Sequence, residues 1–352
     1  VGSMRLVVFG AVLFAISFLV YVYPVNVIAH LLIGREIFAP TSLIPAAIIA
    51  AAVSVYFRTH ITSPLLSGLI YYGMGIGFIG LWVTITGLLA ARALPEFSVH
   101  IGQICLFLTL VLSLKAIVNG RQIHIAKIDI TSAKIKQHHN LLFISDVHLG
   151  SNPKQHLAKV CDKMAGLDFD ALLIGGDLFD SSAFTASDLD PLKVIEKPIL
   201  FVTGNHEYYV KDHQHKVADL AAYNITVLDN QSVQSGELHI VGISDQQSPK
   251  RQSEIAKQQV RPDRFNLLMV HQPSIFETAP DDTDLMLSGH THNGQIFPFS
   301  FLVRLQFKTV YGLYKRLNSR LYVSSGCGTW GPRMRLGTRN EIVQITISPQ
   351  KS

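Results

Sequence analysis

Hydrophobic positions fall into two regimes along this chain. Up to about residue 120 they run almost unbroken in four stretches, 6–23, 41–57, 65–91 and 101–118. About 20 apolar residues are needed for a helix to cross the hydrocarbon of a bilayer. The four stretches therefore predict four transmembrane helices, with 41–57 the shortest. An apolar run at 27–33, between Pro24 and Pro40, is expected to lie in the interface. Beyond residue 121 the pattern breaks up. Ile123, Ile125, Ile128 and Ile130 alternate with polar neighbours, which predicts a half-buried strand. Short apolar runs follow at 141–145, 171–174, 199–203, 267–270 and 284–287, each ending in a polar cluster. Such runs fit strands buried on both faces. Helices are predicted over 156–166 and 210–222, and closely spaced strands over 227–243. The expected fold class is α/β, two packed sheets flanked by helices, preceded by an all-α transmembrane domain. The domains are 1–120 and 121–352, with Val1-Gly2-Ser3 before Met4 reading as an expression scar.

Charge follows the same division. Residues 1–120 carry five basic side chains and two acidic ones, leaving 25 of the 30 basic and 23 of the 25 acidic residues for 121–352. The second part is nearly neutral and has no base-binding motif, so the chain's pI near 9.0 does not point to nucleic acid. Cys105, Cys161 and Cys327 have no disulfide or zinc-site spacing. Three further apolar runs, and no small-residue cleavage pattern, argue against a signal peptide at the start. No acidic or basic residue sits in the middle of a span, which removes the usual mark of a transport path. Gly68, Gly73, Gly75, Gly77 and Gly80 predict close helix packing. With four spans, Arg5, Arg58, Lys115, Arg121 and Lys127 share one side, against Arg35 and Arg92 on the other. The positive-inside rule then places both ends, and the large C-terminal domain, on the cytoplasmic face of the inner (plasma) membrane as a multi-pass protein.

The polar clusters contain Asp146 and His148, Asp177, Asn205, His271, and His290 and His292. All are metal-ligand types, and all stand at the C-terminal ends of expected strands, where open α/β sheets bind ligands. Seven donors around a central carboxylate suit two divalent ions, and their imidazole and carboxylate mixture suits Mn, Fe or Zn rather than Ca. Two ions can stabilise both the attacking and the leaving oxygen of a phosphoryl group. Taken singly, any of these residues is more often a turn residue or a satisfied polar group.

The ordered blocks Asp-x-His (146–148), Gly-Asp (176–177), Gly-Asn-His-Glu (204–207), His271 and Gly-His-Thr-His (289–292) resemble the calcineurin-like metallophosphoesterase superfamily. Gly-His-Thr-His-Asn-Gly-Gln-Ile (289–296), Tyr-Val-Ser-Ser-Gly-Cys-Gly-Thr (322–329) and Arg-Leu-Gly-x-Arg-x-Glu-Ile (335–342) are similar to its YkuE/YaeI-like branch, which is related to UDP-diacylglucosamine pyrophosphatase. The resemblance covers about 140–347 and implies a metallophosphoesterase β-sandwich. It implies one ion on Asp146, His148, Asp177 and His292, a second on Asp177, Asn205, His271 and His290, and His206 as a non-ligand catalytic histidine at the leaving oxygen. The branch often has Gly-Gly-Gln after the last histidine; Asn293 departs from that and becomes a candidate substrate contact. Arg333, Arg335 and Arg339 are candidate phosphate clamps, with Arg335 favoured.

Aromatic and basic residues alternate over 295–321, directly after the last donors. This fits either a membrane interface or a hairpin or helix packed on the rest of the protein. The leading expectation is a metal-dependent phosphodiesterase or pyrophosphatase acting on a membrane lipid or lipid-linked phosphate. The alternatives are a tethered phosphodiesterase for a soluble nucleotide or cyclic nucleotide, and a non-catalytic sensor or binding module.

Overall fold

The computed structural model describes residues 2–59 and 64–350; Val1 of the expected scar and residues 351–352 lie outside them. The chain separates into two compact units, 1–118 and 119–352.

The first unit is helical. Gly2–Ser17 continues through a π-helical turn, Phe18–Val22, into Tyr23–Ile33, so that Val7–Ile33 forms a single 27-residue apolar helix. This corrects the expectation that the first span stops at 23 and that 27–33 lies flat. In the π turn the Tyr23 N–H bonds to the Phe18 carbonyl. Pro24 then falls in the first turn of the next helical segment, where its missing N–H costs little. Gly34, in the left-handed region, ends the helix. Leu65–Ala93 (29 residues) and Pro95–Asn119 (25 residues) are also long and apolar enough to cross a membrane. The helix Leu43–Thr59 has 17 residues, about 25 Å at 1.5 Å each, against about 30 Å of hydrocarbon. Among the described residues three helices meet the length criterion, and the expected span at 41–57 corresponds to this shorter apolar helix. Gly77 lets Pro64–Ala93 close on its neighbour, since a methyl there would strike the Val20 carbonyl.

The second unit holds strands β1 (Ile123–Ser132), β2 (His139–Ile144), β3 (Ala171–Ile174), β4 (Ile199–Phe201), β5 (Ile225–Val227), β6 (Gln231–Ser235), β7 (Leu238–Ile243), β8 (Phe265–Val270), β9 (Thr283–Ser288), β10 (Gly312–Arg316), β11 (Ser319–Val323) and β12 (Asn340–Pro349). They form one sheet in the order β1-β12-β2-β3-β4-β5 and another in the order β10-β11-β9-β8-β7-β6. The run β2-β3-β4-β5 is parallel, as is β11-β9-β8-β7.

Successive strand residues face opposite ways, which explains why the central strands are apolar throughout. Leu141 and Phe143 join Leu173, Val202, Met269 and Leu287 between the two sheets. Leu142, Ile144, Leu172 and Ile174 face outward, onto Leu157, Val160 and Met164 of the helix Lys154–Met164. On the second sheet, Leu268, Val270 and Met286 face Ile255 and Ala256 of the helix Pro249–Gln259. The result is a helix–sheet–sheet–helix layering.

Candidate metal centre

Each cluster begins where a parallel strand ends. Asp146 and His148 follow β2, Asp177 follows β3, Asn205 and His206 follow β4, His271 follows β8, and His290 and His292 follow β9. Five of the seven expected ligands have positive φ: Asp146 (55°), His148 (52°), Asp177 (52°), His290 (70°) and His292 (49°). The left-handed region costs a non-glycine residue about 1 kcal/mol or more. Its concentration here marks a backbone that turns side chains inward at the expense of local comfort.

The donors converge in two groups. Asp146, His148 and His292 offer atoms within 4.8 Å of one another, and so do Asp177, His271 and His290. Asp177 lies between them. Its Oδ2 is 3.1 Å from His271 Nε2 and 3.7 Å from His148 Nε2, while its Oδ1 accepts the His206 N–H at 2.9 Å. Gly204 permits this approach, because a methyl there would collide with the Asp177 carboxylate. Asp146 accepts the His290 N–H at 3.0 Å. His148 Nε2 is 3.1 Å from His292 Nε2, and His290 Nδ1 is 3.2 Å from His271 Nε2. Asp146, His148 and His271 are fully buried.

The donor set fits cations on three grounds. Asn205 Oδ1 is buried and meets no protein donor among the described residues. His271 Nδ1 bonds to the Gly175 carbonyl at 2.8 Å, which leaves Nε2 as the lone-pair nitrogen facing the cluster when the imidazole is neutral. Burial opposes charge on His271, yet Asp177 and Asp146 push its pKa well above the ordinary imidazole value. The field of the carboxylates thus draws positive charge inward, and a metal would take over that role from the protons it displaces. Burial, reinforced by the charge of His148, holds His206 down to about 4. It is therefore a neutral imidazole at neutral pH, against the partly exposed rings of Tyr209 and Trp330 at centroid distances of 5.4 and 5.9 Å.

Two acidic residues behind the donors had no role assigned from sequence. Asp180 Oδ2 lies 3.2 Å from His148 Nδ1. Burial works against its charge, but the contact with His148 keeps its pKa below the usual carboxylate value. It stands where a carboxylate behind a metal-ligating histidine stands, close to Nδ1 but without a well-directed hydrogen bond to it. Asp180→Asn is expected to weaken metal binding about 10- to 100-fold with the fold retained, measured by competition with a chelating dye. Glu207, fully buried, accepts four backbone N–H groups, from Asp177, Leu178, Phe179 and Gly204, at 2.7–3.1 Å. The Asp-x-x-Asp spacing at 177–180 and Glu207 in Gly-Asn-His-Glu were visible, but neither carried a reason to expect burial.

Arg335, expected to clamp substrate phosphate, does not do so. Its guanidinium is fully buried and donates to the Asn340 side chain and to the carbonyls of His292, Ser325 and Gly328. Those carbonyls satisfy the fork from inside the protein and tie the loop after β11 to the His292 turn. Arg339 is exposed, with Nη2 3.5 Å from the Tyr311 hydroxyl. Arg333 is half-buried against a cavity with Arg121 and Lys159. Asn293 is half-buried in the turn after His292, with φ of 53°. Cys327 is buried, its N–H bonded to the Ser145 carbonyl.

A layered double sheet with two donor clusters sharing one carboxylate defines a metal-binding α/β domain of the hydrolase type. The calcineurin-like phosphoesterase family model matches residues 139–294. An uncharacterized metallophosphoesterase of Aquifex aeolicus is 30% identical over 217 residues, 58% of this chain and 82% of that protein. One from Helicobacter pylori is 33% identical over 233 residues, 62% of each chain, so this chain spans about three-fifths of that relative's length. A transmembrane protein with metallophosphoesterase domain from Danio rerio is 30% identical over 285 residues, 73% of this chain and 65% of that protein. The chain belongs to the calcineurin-like metallophosphoesterase family.

Proposed function

We propose that this protein is a membrane-anchored metal-dependent phosphohydrolase that cleaves a phosphodiester or pyrophosphate carried on a lipid. Asp146, His148, Asp177 and His292 would hold one divalent ion, and Asp177, Asn205, His271 and His290 the other. When bound, such ions supply Lewis-acid stabilisation of phosphoryl oxygens and lower the pKa of water. The chain's own residues do the rest. Asp177 places the two donor groups against each other. The Gly175 carbonyl fixes the tautomer of His271, and the Asp180 carboxylate faces the His148 ring. His206, neutral and partly screened by Trp330 and Tyr209, presents a ring N–H that can bond to a leaving oxygen. The three long apolar helices support anchoring. Lys115 in the last apolar helix and Arg121 and Lys127 after it, against Arg92 at the end of the preceding helix, favour a cytoplasmic catalytic unit by the positive-inside rule.

The observation that carries the lipid reading is the helix Phe299–Gln306. It begins seven residues after His292, and the Phe307 ring at its end lies 5.3 Å from that of His290. Phe299, Phe301, Leu302 and Leu305 on it are exposed, Leu305 by 84%, with basic Arg304 and Lys308 beside them. An apolar, basic-edged helix leading away from the donors suits acyl chains below and phosphate above. A second reading, a soluble nucleotide substrate, is favoured by Trp330 and Tyr209, whose exposed rings beside His206 can stack a base.

The test is turnover by full-length, Mn-loaded protein of bis-p-nitrophenyl phosphate, a cyclic nucleotide, a UDP-sugar lipid and a phospholipid. Phe301→Ser/Leu305→Ser is expected to cut lipid turnover about tenfold or more, the worth of one or two lost apolar contacts, and to spare bis-p-nitrophenyl phosphate. Preferential turnover of the cyclic nucleotide, unmoved by that pair of substitutions, would support the second reading instead.

A further inference from the structure

The second unit has a basic cavity apart from the donor clusters. Its volume is about 260 Å³, and Arg121, Lys159, Arg333, Gln155, His156 and Asn152 are among the residues lining it. Among the described lining residues there is no carboxylate, whereas the unit as a whole is nearly neutral. Arg121 and Lys159 on the rim of so small a volume create a positive potential that suits an anion. The first turn of the helix Lys154–Met164, contributing Gln155 and His156, opens onto the same space. Its N–H groups and the positive end of its dipole add to the same field. The effect registers on His156: burial first, then the charges of Lys159, Arg335 and Arg333, lower its pKa.

The walls of the cavity are fastened. Asn340 Nδ2 donates to the Gly120 carbonyl at 2.9 Å and to that of Gln122 at 3.2 Å, which holds Arg121 in place. His156 Nε2 bonds to the Cys327 carbonyl at 2.8 Å, and Asn152 Nδ2 bonds to the Thr329 carbonyl at 2.7 Å. These two bonds fix the lining residues His156 and Asn152 to the loop that carries Trp330. Arg121 stands two residues beyond Asn119, the end of the last apolar helix.

We propose that this cavity binds a phosphate group, as an anionic phospholipid headgroup or as a free phosphate, at a site separate from the metal centre. The dimensions admit one phosphate with its immediate substituent. Arg121 offers a guanidinium fork and Lys159 a point charge. An anion there would relieve the repulsion between Arg121 and Lys159. Occupancy is independent of what the metal centre hydrolyses.

Arg121 and Lys159 are exposed, so their replacement leaves the core intact. Full-length, metal-loaded protein is reconstituted in phosphatidylcholine nanodiscs containing phosphatidylglycerol, and bound phosphatidylglycerol is counted by native mass spectrometry. In parallel, the unfolding midpoint is followed as inorganic phosphate replaces chloride at constant ionic strength. Arg121→Gln/Lys159→Gln is expected to weaken retention of phosphatidylglycerol on the order of 25-fold, taking each basic group near an anionic surface at its usual worth. Arg121→Lys/Lys159→Arg, which keeps the charge, is expected to retain it. Loss of lipid without any difference in phosphate response assigns the site to a headgroup. A phosphate-dependent rise in midpoint that the neutral variant lacks, with equal lipid counts, assigns it to a soluble phosphate. The metal centre is common to all variants and cancels in the comparison. Equal behaviour of wild type and neutral variant in both arms overturns the site, and so does equal loss in the charge-keeping variant.

Discussion

Asp177→Asn is expected to lower hydrolysis of any substrate by at least about a thousandfold, the upper scale for removing one preorganised electrostatic group, and to reduce bound metal from two equivalents toward one or none. The reason is position. Asp177 Oδ2 lies within 3.1–3.7 Å of nitrogens belonging to both donor clusters, so a neutral amide there removes negative charge from two sites at once. The same substitution leaves Oδ1 able to accept the His206 N–H, and the fold should survive. The checks are metal content by elemental analysis, turnover of bis-p-nitrophenyl phosphate, and an unchanged circular dichroism spectrum. Full metal content with wild-type turnover in this variant would remove the dinuclear reading altogether.

The second large effect is on stability. Glu207→Ala leaves four buried backbone N–H groups without their acceptor, each a penalty of about 1–3 kcal/mol, and opens a cavity as well. Even with relaxation the loss should be on the order of 4 kcal/mol, a large share of the 5–15 kcal/mol typical of a folded domain. For a unit of this size the melting point should fall by about 10 °C. Glu207→Gln is expected to fall part of the way, because its NH₂ group faces donors where the carboxylate offered acceptors. Thermal unfolding followed by circular dichroism measures both. A shift under 2 °C for the alanine variant would mean that the N–H groups find other partners.

These two residues also show what residue order can and cannot convey. Asp177 was legible because an apolar strand ending in a metal-ligand type recurs five times, three of them with a glycine just before the donor. Burial on both sheet faces makes those strands apolar throughout, and the sudden arrival of Asp or His at their ends stands out. Arg335 was misread for the converse reason. Its type matches a phosphate clamp, but its actual acceptors are carbonyls of His292, Ser325 and Gly328, and backbone atoms leave no mark in the order of side chains. Glu207 was hidden likewise: all four of its partners are peptide N–H groups. The first apolar helix was cut short at Pro24 because a proline ordinarily ends such a run; the π turn that accommodates it arises from hydrogen-bond shifts that hydropathy does not register.

The donors are drawn from both sheets. Asp146, His148, Asp177 and Asn205 belong to the ends of β2, β3 and β4, while His271, His290 and His292 belong to β8 and β9. On the proposed assignment neither sheet alone would carry a complete set of ligands for either ion, so a bound cation would also be a rivet through the sandwich. Its binding energy enters the docking of one sheet on the other, and by mass action the resistance of this unit to unfolding rises with the logarithm of free metal concentration. The protein's lifetime under heat or proteolysis would thereby be coupled to the metal supply around it.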